Sequence, residues 1–451
     1  MGVNQITCYE FHKLVSKDSG LEQADDLKVV TPQVFEWLEG VARGDPTPGT
    51  PAWIRPSRRR GSPAVELTSY VGVVRAPDGT QIEILPKIGK STAAGAEDAR
   101  PILLAMLSSL PAFKHLQTSN AELQARKMPL LDVFIHEFLI ATQQIVKRGL
   151  RGGYSSRQDN IFSLRGKLQF STHLRENLCR RDRFFAEFDE FSSDRAENRL
   201  LHSALRCALS WASLPSNQHL ARELSFVFSD IPVSKVPAVD LQLVRLDRDM
   251  GYYTDALAWA KLLLQGLSPL TGFGLNEAPS LLFPMQDLYE AFVAKHLKRQ
   301  LEQQFKMHKQ PRSFSLVKHD TEDWFQLKPD LLVSESSKNC MVLDTKWKLL
   351  DSDKNNASEK YDLSQGDFYQ MYAYGQNYLK GSGDLVLIYP KTDSFNHALK
   401  MFAFPNSEDL RLWVLPFCLR DRRLVLPTCG TLDGKFKSNT SPASTQTVVG
   451  T

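Results

Sequence analysis

The chain of 451 residues is longer than one ordinary hydrophobic core supports, and its 42% hydrophobic and 10% aromatic content is that of a globular protein of two or three domains. Its 55 basic and 51 acidic residues leave a formal charge of only +4, so it is no polycation and any nucleic-acid affinity must come from local basic patches. Six cysteines without a C-x-x-C pair give no zinc ribbon or disulfide framework, and the lack of a basic-apolar leader or a long apolar run points to a soluble, cytoplasmic protein without a membrane segment.

Residues 1–95 read as a β-rich unit. The spacing predicts a helix over 29–41, broken by the Pro/Gly-rich residues 44–51. The basic run of Arg55, Arg58, Arg59 and Arg60 serves either phosphate contact or plain solvation. Strands over 67–75 and 81–87 flank Ala76-Pro77-Asp78-Gly79, a hairpin signal because Asp-Gly supplies the turn dihedrals. Gly89-Lys90-Ser91 follows, but a phosphate loop needs its first glycine where Ile84 stands, so the chain shows no nucleotide-binding loop of its own.

Residues 90–98 form a polar, small-residue linker, and 96–275 are mainly helical. Apolar spacing predicts helices over 101–110, 130–148, 172–180, 194–209 and 253–266, with Ser193-Asp194 capping the fourth, and a strand over 160–170. The charges around Arg180 and Arg183 read as helix surface.

In the last unit, 276–430, residues 285–297 are helical with Glu290 at the edge of the apolar stripe. Strands over 327–333 and 341–348 form a hairpin. The first carries Asp330, and the period of two puts Asp344 and Lys346 on one face of the second, with Leu343, Thr345 and Trp347 on the other. Two carboxylates and an ammonium at the end of a hairpin are either solvated charges or a site for a hard cation such as Mg²⁺, where the lysine orients water or meets charge developing on phosphorus. Residues 364–379 form a helix with Phe368, Met371, Tyr372, Gly375 and Tyr378 in its stripe and Gln370 and Tyr374 one turn apart. Tyr372 and Tyr378 read as core. Extended segments over 384–389, 400–404 and 411–419 complete a sheet, and the Ser/Thr-rich residues 431–451 read as a disordered tail.

Pro329-Asp330 with Asp344-Thr345-Lys346 resembles the PD-(D/E)xK nuclease superfamily, and Gln370 with Tyr374 resembles the Q-x-x-x-Y element of RecB-like nucleases. From about Tyr70 to about Pro416, the ordered segments IEILPKIG, RGKLQF, FDEFSSDRAENRLL and LDTKWK resemble the McrC family, nuclease subunits of McrBC-type modification-dependent restriction systems. The resemblance implies an α+β / α/β multidomain fold, in which an amino-terminal β-containing and helical partner-binding region precedes a restriction-endonuclease-like α/β/α nuclease domain. It implies a catalytic core of Asp330, Asp344 and Lys346 with Gln370 as accessory, and Mg²⁺ held by Asp330 and Asp344 with Glu290 as a third ligand. The implied partners are a McrB-like AAA+ NTPase hexamer, which binds the GTP or ATP, and double-stranded, modified DNA. The alternatives are an autonomous RecB-like nuclease, for which the long front half has no evident use, and a catalytically silent NTPase-activating subunit.

Overall fold

The computed structural model describes residues 4–44, 52–91, 95–110, 113, 128–180, 182–265, 280–427, 432 and 434–437. The amino-terminal part is two four-stranded sheets. One joins β1 (Gln5–Tyr9), β6 (Tyr70–Arg75), β7 (Gln81–Leu85) and β11 (Ser280–Pro284) in the order β1-β7-β6-β11. The other joins β2 (Lys13–Ser16), β3 (Leu27–Val30), β4 (Ile54–Arg59) and β5 (Ser62–Leu67) in the order β3-β2-β5-β4. The β6–β7 hairpin turns at Asp78-Gly79 as its sequence requires, with Asp78 Oδ1 accepting from the Thr80 N–H at 2.8 Å.

The helix predicted over 29–41 is shifted. Leu27–Val30 is β3, and α1 runs from Pro32 to Arg43, because the β-branched Val29-Val30 pair extends the chain and Thr31 then caps a helix that opens on proline. The strand β11 lies in the segment expected to belong to the last unit, yet it pairs with β6. Gly72 permits the approach: its φ is +134°, and a Cβ there would stand 1.8 Å from the Leu281 carbonyl oxygen.

Helices α2 (Ala96–Leu107), α3 (Leu130–Arg148), α5 (Ala196–Trp211), α6 (Pro215–Val227) and α8 (Thr254–Gln265) pack around Phe134, Phe138 and Trp259. The helix α3 has its predicted bounds. By contrast α2 begins inside the expected linker and carries Pro101 in its interior, where the proline has no N–H to donate to the preceding turn. Asp194 does not cap α5: Arg195 is the cap residue, and the Asp194 carboxylate pairs with Arg199 at 2.7 Å. The strand predicted over 160–170 is also corrected. β8 (Gly153–Ile161) ends before Phe162, β9 is only Lys167–Leu168, and Phe170 opens α4 (Phe170–Asn177), because Phe162 and Leu164 face solvent and no buried face holds the chain extended. The sequence reading placed no strand at β10 (Phe184–Ser192), which joins β8 and β9 in a three-stranded sheet, and no helix at α6 or α7 (Pro237–Leu243). Arg180 and Arg183 lie in the turn before β10, where the Arg183 guanidinium covers the Phe162 ring at 4.4 Å.

The carboxy-terminal part is a seven-stranded mixed sheet of β12 (Phe305–Lys309), β15 (Leu331–Glu335), β16 (Lys338–Thr345), β17 (Gly383–Pro390), β18 (Phe402–Phe404), β19 (Ser407–Cys418) and β20 (Arg423–Leu424). A hairpin, β13 (Phe314–His319) and β14 (Glu322–Leu327), stands outside it. The order is β12-β15-β16-β17-β19-β18, with β20 on β19, and β16, β17 and β19 are parallel. Helix α9 (Met285–Gln300) covers one face with Leu288, Phe292 and Val293. Helix α10 (Gln365–Tyr378) covers the other with Met371, Tyr374 and Tyr378. Gly375 lets α10 sit close, since a Cβ there would meet Leu410 Cδ2 at 2.6 Å. Tyr372 is not core: it is 36% exposed, with its ring against Phe404.

The core under α9 is continuous with β6, β7 and the middle helices. Of the tail expected over 431–451, Leu432 and Phe436 are buried, and the Lys437 N–H donates to the Gln300 carbonyl at 2.8 Å. The rest of that expected tail lies outside the described residues. Among the described residues, no helix is long and apolar enough to cross a membrane.

Candidate active site

The β15–β16 hairpin supplies the site's first residues. Ser336 and Ser337 turn it with φ of +48° and +73°; its first strand is shorter than the sequence pattern suggests, and its second is shifted toward the amino terminus at unchanged length. The first strand begins only at Leu331, because Pro329 cannot donate to a ladder, so Asp330 sits just before it. The second ends at Thr345, although the Lys346 N–H still donates to the Ile388 carbonyl at 2.9 Å. Asp344 and Lys346 thus stand at the carboxyl ends of the parallel strands, where open α/β sheets present ligand sites.

The structure brings Asp330, Asp344, Lys346 and Gln370 together. Asp330 Oδ2 accepts the Thr345 N–H at 2.7 Å and the Thr345 hydroxyl at 2.6 Å. The Lys346 ammonium donates to Gln370 Oε1 at 2.9 Å, while Gln370 Nε2 donates to the Tyr374 hydroxyl at 2.7 Å and that hydroxyl donates to the Lys328 carbonyl at 3.0 Å. The same ammonium lies 2.7 Å from Asp344 Oδ2 and 3.7 Å from Asp367 Oδ1. Asp344 Oδ2 is buried, and this ammonium is its close ionic neighbour. Glu290 faces the group from α9, with Oε1 accepting from Gln310 Nε2 at 2.7 Å. Among the described residues no three His, Cys, Asp or Glu side chains cluster closely enough to hold a metal by themselves.

Charge is crowded here. Burial, and then the neighbouring Asp330, raise the Asp344 carboxyl above the ordinary range against the pull of Lys346. Burial also raises Asp330, opposed by the two Thr345 hydrogen bonds. Glu290 is pushed up to about 7, by burial first and by Asp330 second. Burial works against the Lys346 charge, but Asp344, Asp367 and Asp330 outweigh it and hold its pKa above that of an ordinary lysine. The donor set fits a hard cation: the Asp330 and Asp344 carboxylates lie close enough for the first to raise the proton affinity of the second, and Asp344 Oδ2 is buried with the Lys346 ammonium as its neighbour.

Three contributors were missed from sequence. Thr345, on the far face by strand period, reaches Asp330 because that acid lies before its strand. Asp367 was legible as the residue one turn before Gln370, and it also accepts from the Tyr389 hydroxyl at 3.1 Å. Gln286, one turn before Glu290, donates to the Thr345 carbonyl at 2.5 Å and accepts the Trp347 N–H at 3.0 Å.

Comparison with known proteins shows what the chain is similar to. No curated protein sequence matches the chain. Among solved structures, it is similar to a chain of a refined half-complex from a tetradecameric assembly of Thermococcus gammatolerans McrB AAA+ hexamers with bound McrC. The TM-score is 0.65 at 20% identity, over 92% of this chain and 95% of that one. A chain of the Thermococcus gammatolerans McrBC complex matches with a TM-score of 0.44 at 22% identity, over 66% of this chain and 88% of that one. The McrBC 5-methylcytosine restriction system component family matches residues 65–390, well over half of the sequence. The chain therefore belongs to that family, as a restriction-system component.

Proposed function

We propose that this chain is the Mg²⁺-dependent DNA endonuclease subunit of a McrBC-like restriction system, with a PD-(D/E)xK nuclease domain, and that it stimulates and is coupled to an AAA+ GTPase ring that recognises and translocates modified DNA. The observation that carries the reading is the convergence of Asp330, Asp344, Lys346 and Gln370 at the carboxyl ends of parallel strands in a sheet flanked by α9 and α10. The partner is supported by the similar protein's assembly with McrB AAA+ hexamers and by the exposed apolar side chains of the middle sheet.

Asp330 and Asp344 would hold the ion, with the other positions falling to water and phosphate oxygens and Glu290 acting beside them. The ion supplies polarisation of the phosphodiester and a water of lowered pKa. Thr345 occupies one oxygen of Asp330 and leaves the other as a donor. Lys346 stays protonated, and orients the attacking water or meets the charge developing on phosphate oxygens. Tyr374 fixes Gln370, which in turn fixes the ammonium. A second reading, a silent activator of the ring, draws on the lack of a third clustered acid among the described residues.

The purified chain alone should cut DNA weakly, and adding an AAA+ partner, nucleotide and Mg²⁺ should give double-strand cleavage. Asp344→Asn should abolish cutting and leave stimulation of the partner's hydrolysis intact. Robust cutting without a partner would sink the subunit reading; an Asp344→Asn protein that still cuts would sink the site.

A further inference from the structure

Trp347 follows the site's lysine by one residue, and its polar groups are held from outside the seven-stranded sheet. Its indole N–H donates to both oxygens of Glu10, at 3.1 and 2.9 Å, across 337 positions of sequence. Lys87 Nζ donates to its carbonyl at 2.9 Å and lies 5.7 Å from its ring. Gln286 takes its N–H and the Thr345 carbonyl, so the peptides on both sides of Lys346 are clamped by one side chain.

These holders share an origin. Glu10 follows β1 and Lys87 follows β7, two strands paired in parallel. Glu10 is wholly buried, and it accepts from the Ser69 hydroxyl at 3.1 Å and the Lys87 N–H at 2.9 Å as well as from the indole. Gln286 stands in the first turn of α9, which continues directly from β11, and the Met285 N–H donates to the Ser69 carbonyl at 3.0 Å. Both routes therefore start in the β1-β7-β6-β11 sheet and end on residues 345–347.

Plain packing between two domains would need no such arrangement. A buried carboxylate must be desolvated, and is held at a domain junction only when its donors are fixed around it; a satisfied polar network of this kind specifies one geometry where apolar contact tolerates many. The geometry specified here is the direction in which the chain leaves β16, hence where the Lys346 ammonium and the Asp344 carboxylate point.

We infer that Glu10, Lys87 and Gln286 are positioning residues of the cutting site, acting on Lys346 and Asp344 through Trp347, so that the amino-terminal sheet is a wall of that site. The inference rests on the nuclease reading above. It explains why IEILPKIG and LDTKWK, far apart in sequence, belong together: Lys87 of the first grips Trp347 of the second.

The test uses the full chain with its AAA+ partner, nucleotide and Mg²⁺. Trp347→Phe keeps an aromatic ring, though a smaller one, and loses the indole donor; Lys87→Met keeps the length and loses the ammonium; Lys87→Arg restores a donor. Trp347→Phe and Lys87→Met should lower kcat roughly 10–100-fold, the usual effect of removing groups that orient a metal site's residues. Half-saturating Mg²⁺ should rise, as should the Kd for Mg²⁺ measured by calorimetry on the chain alone, while KM for DNA and stimulation of the partner's hydrolysis stay put. Lys87→Arg should recover most of the loss. Cutting at the wild-type rate in both variants would overturn the inference. So would a loss matched by equal losses in stimulation and thermal stability, which marks a folding role. If the wild-type complex does not cut at all, the nuclease reading fails by itself, and calorimetry decides: weakened Mg²⁺ binding in the variants supports positioning of the carboxylates, and unchanged binding overturns it.

Discussion

The seven-stranded sheet is covered on both faces, by α9 and by α10, whereas the three-stranded β8–β10–β9 sheet and its helix α4 leave Tyr154, Phe162, Leu164, Phe170, Leu178 and Phe191 in solvent. Both sheets draw on aromatic and charged residues. In the first, β17 is buried along nearly its whole length, as parallel strands between two helix layers are, and charges are kept to the strand ends, Asp344 and Lys346 at the carboxyl ends and Asp384 with Arg411 at the amino ends. In the second, charges pair on the surface, as Arg157 does with Glu190 at 3.0 Å, and rings stand beside them. A sheet closed on both sides fixes a constellation of side chains. A sheet left open offers a surface for something else to cover.

The contrast is broken most severely at the site. Lys346→Met should lower partner-dependent cleavage about 10²–10³-fold, the scale of losing one preorganised charge donor, without loss of fold. A variant that cuts at the wild-type rate would show that the ammonium is only a surface charge. Next comes Gly375→Val, which drives a side chain into Leu410 and Leu385 and should destabilise the carboxy-terminal sheet by about 1–3 kcal/mol in a denaturant titration. Because α10 also carries Gln370, cleavage should fall with it. Unchanged stability would mean that the helix is free to lift from the sheet. On the open sheet the opposite pattern is expected. The double variant Phe162→Asp, Phe170→Asp should leave thermal stability in place, since both rings are more than 60% exposed, and reduce stimulation of the partner's NTP hydrolysis roughly tenfold, the weight of about one contact residue at an interface. Full stimulation by that variant would move the docking surface elsewhere.

The same contrast explains what the sequence made legible. The helix over 130–148 and the Gln370–Tyr374 pair follow from a 3.6-residue period with one buried face, and a buried face is what makes a period readable. The β15–β16 hairpin was readable for the same reason, though Pro329 cut its first strand short. The β13–β14 hairpin was not: Leu316, Val317, Trp324 and Phe325 are exposed, so its sequence alternates nothing against a core. At the site, Asp344 and Lys346 were legible as neighbours along one strand. The holding contacts of Glu10 and Lys87 were not, because a hydrogen bond across 337 positions leaves no local pattern.

The smallest effect separates a strained acid inside the site from one outside it. Glu137 on α3 and Glu290 on α9 are both pushed up to about 7, but Glu137 by burial alone and Glu290 also by the charge of Asp330. A carboxyl whose folded pKa is raised binds its proton more tightly folded than unfolded. Its contribution to stability is therefore fully present below the unfolded pKa near 4.5, and is lost as pH rises through 7. Glu137→Gln removes that loss, so the variant should fall less in Tm between pH 5 and pH 8 than the wild type and exceed it at pH 8. Glu290→Gln should flatten the profile in the same direction. Adding Asp330→Asn discriminates the two, because it relieves the like-charge cause at Glu290 and leaves Glu137 untouched. Glu290→Gln should then bring a smaller gain on the Asp330→Asn background than on the wild type, and Glu137→Gln the same gain on both. Equal gains at Glu290 on both backgrounds would show that Asp330 does not act on it, and would separate Glu290 from the carboxylates at the end of β16.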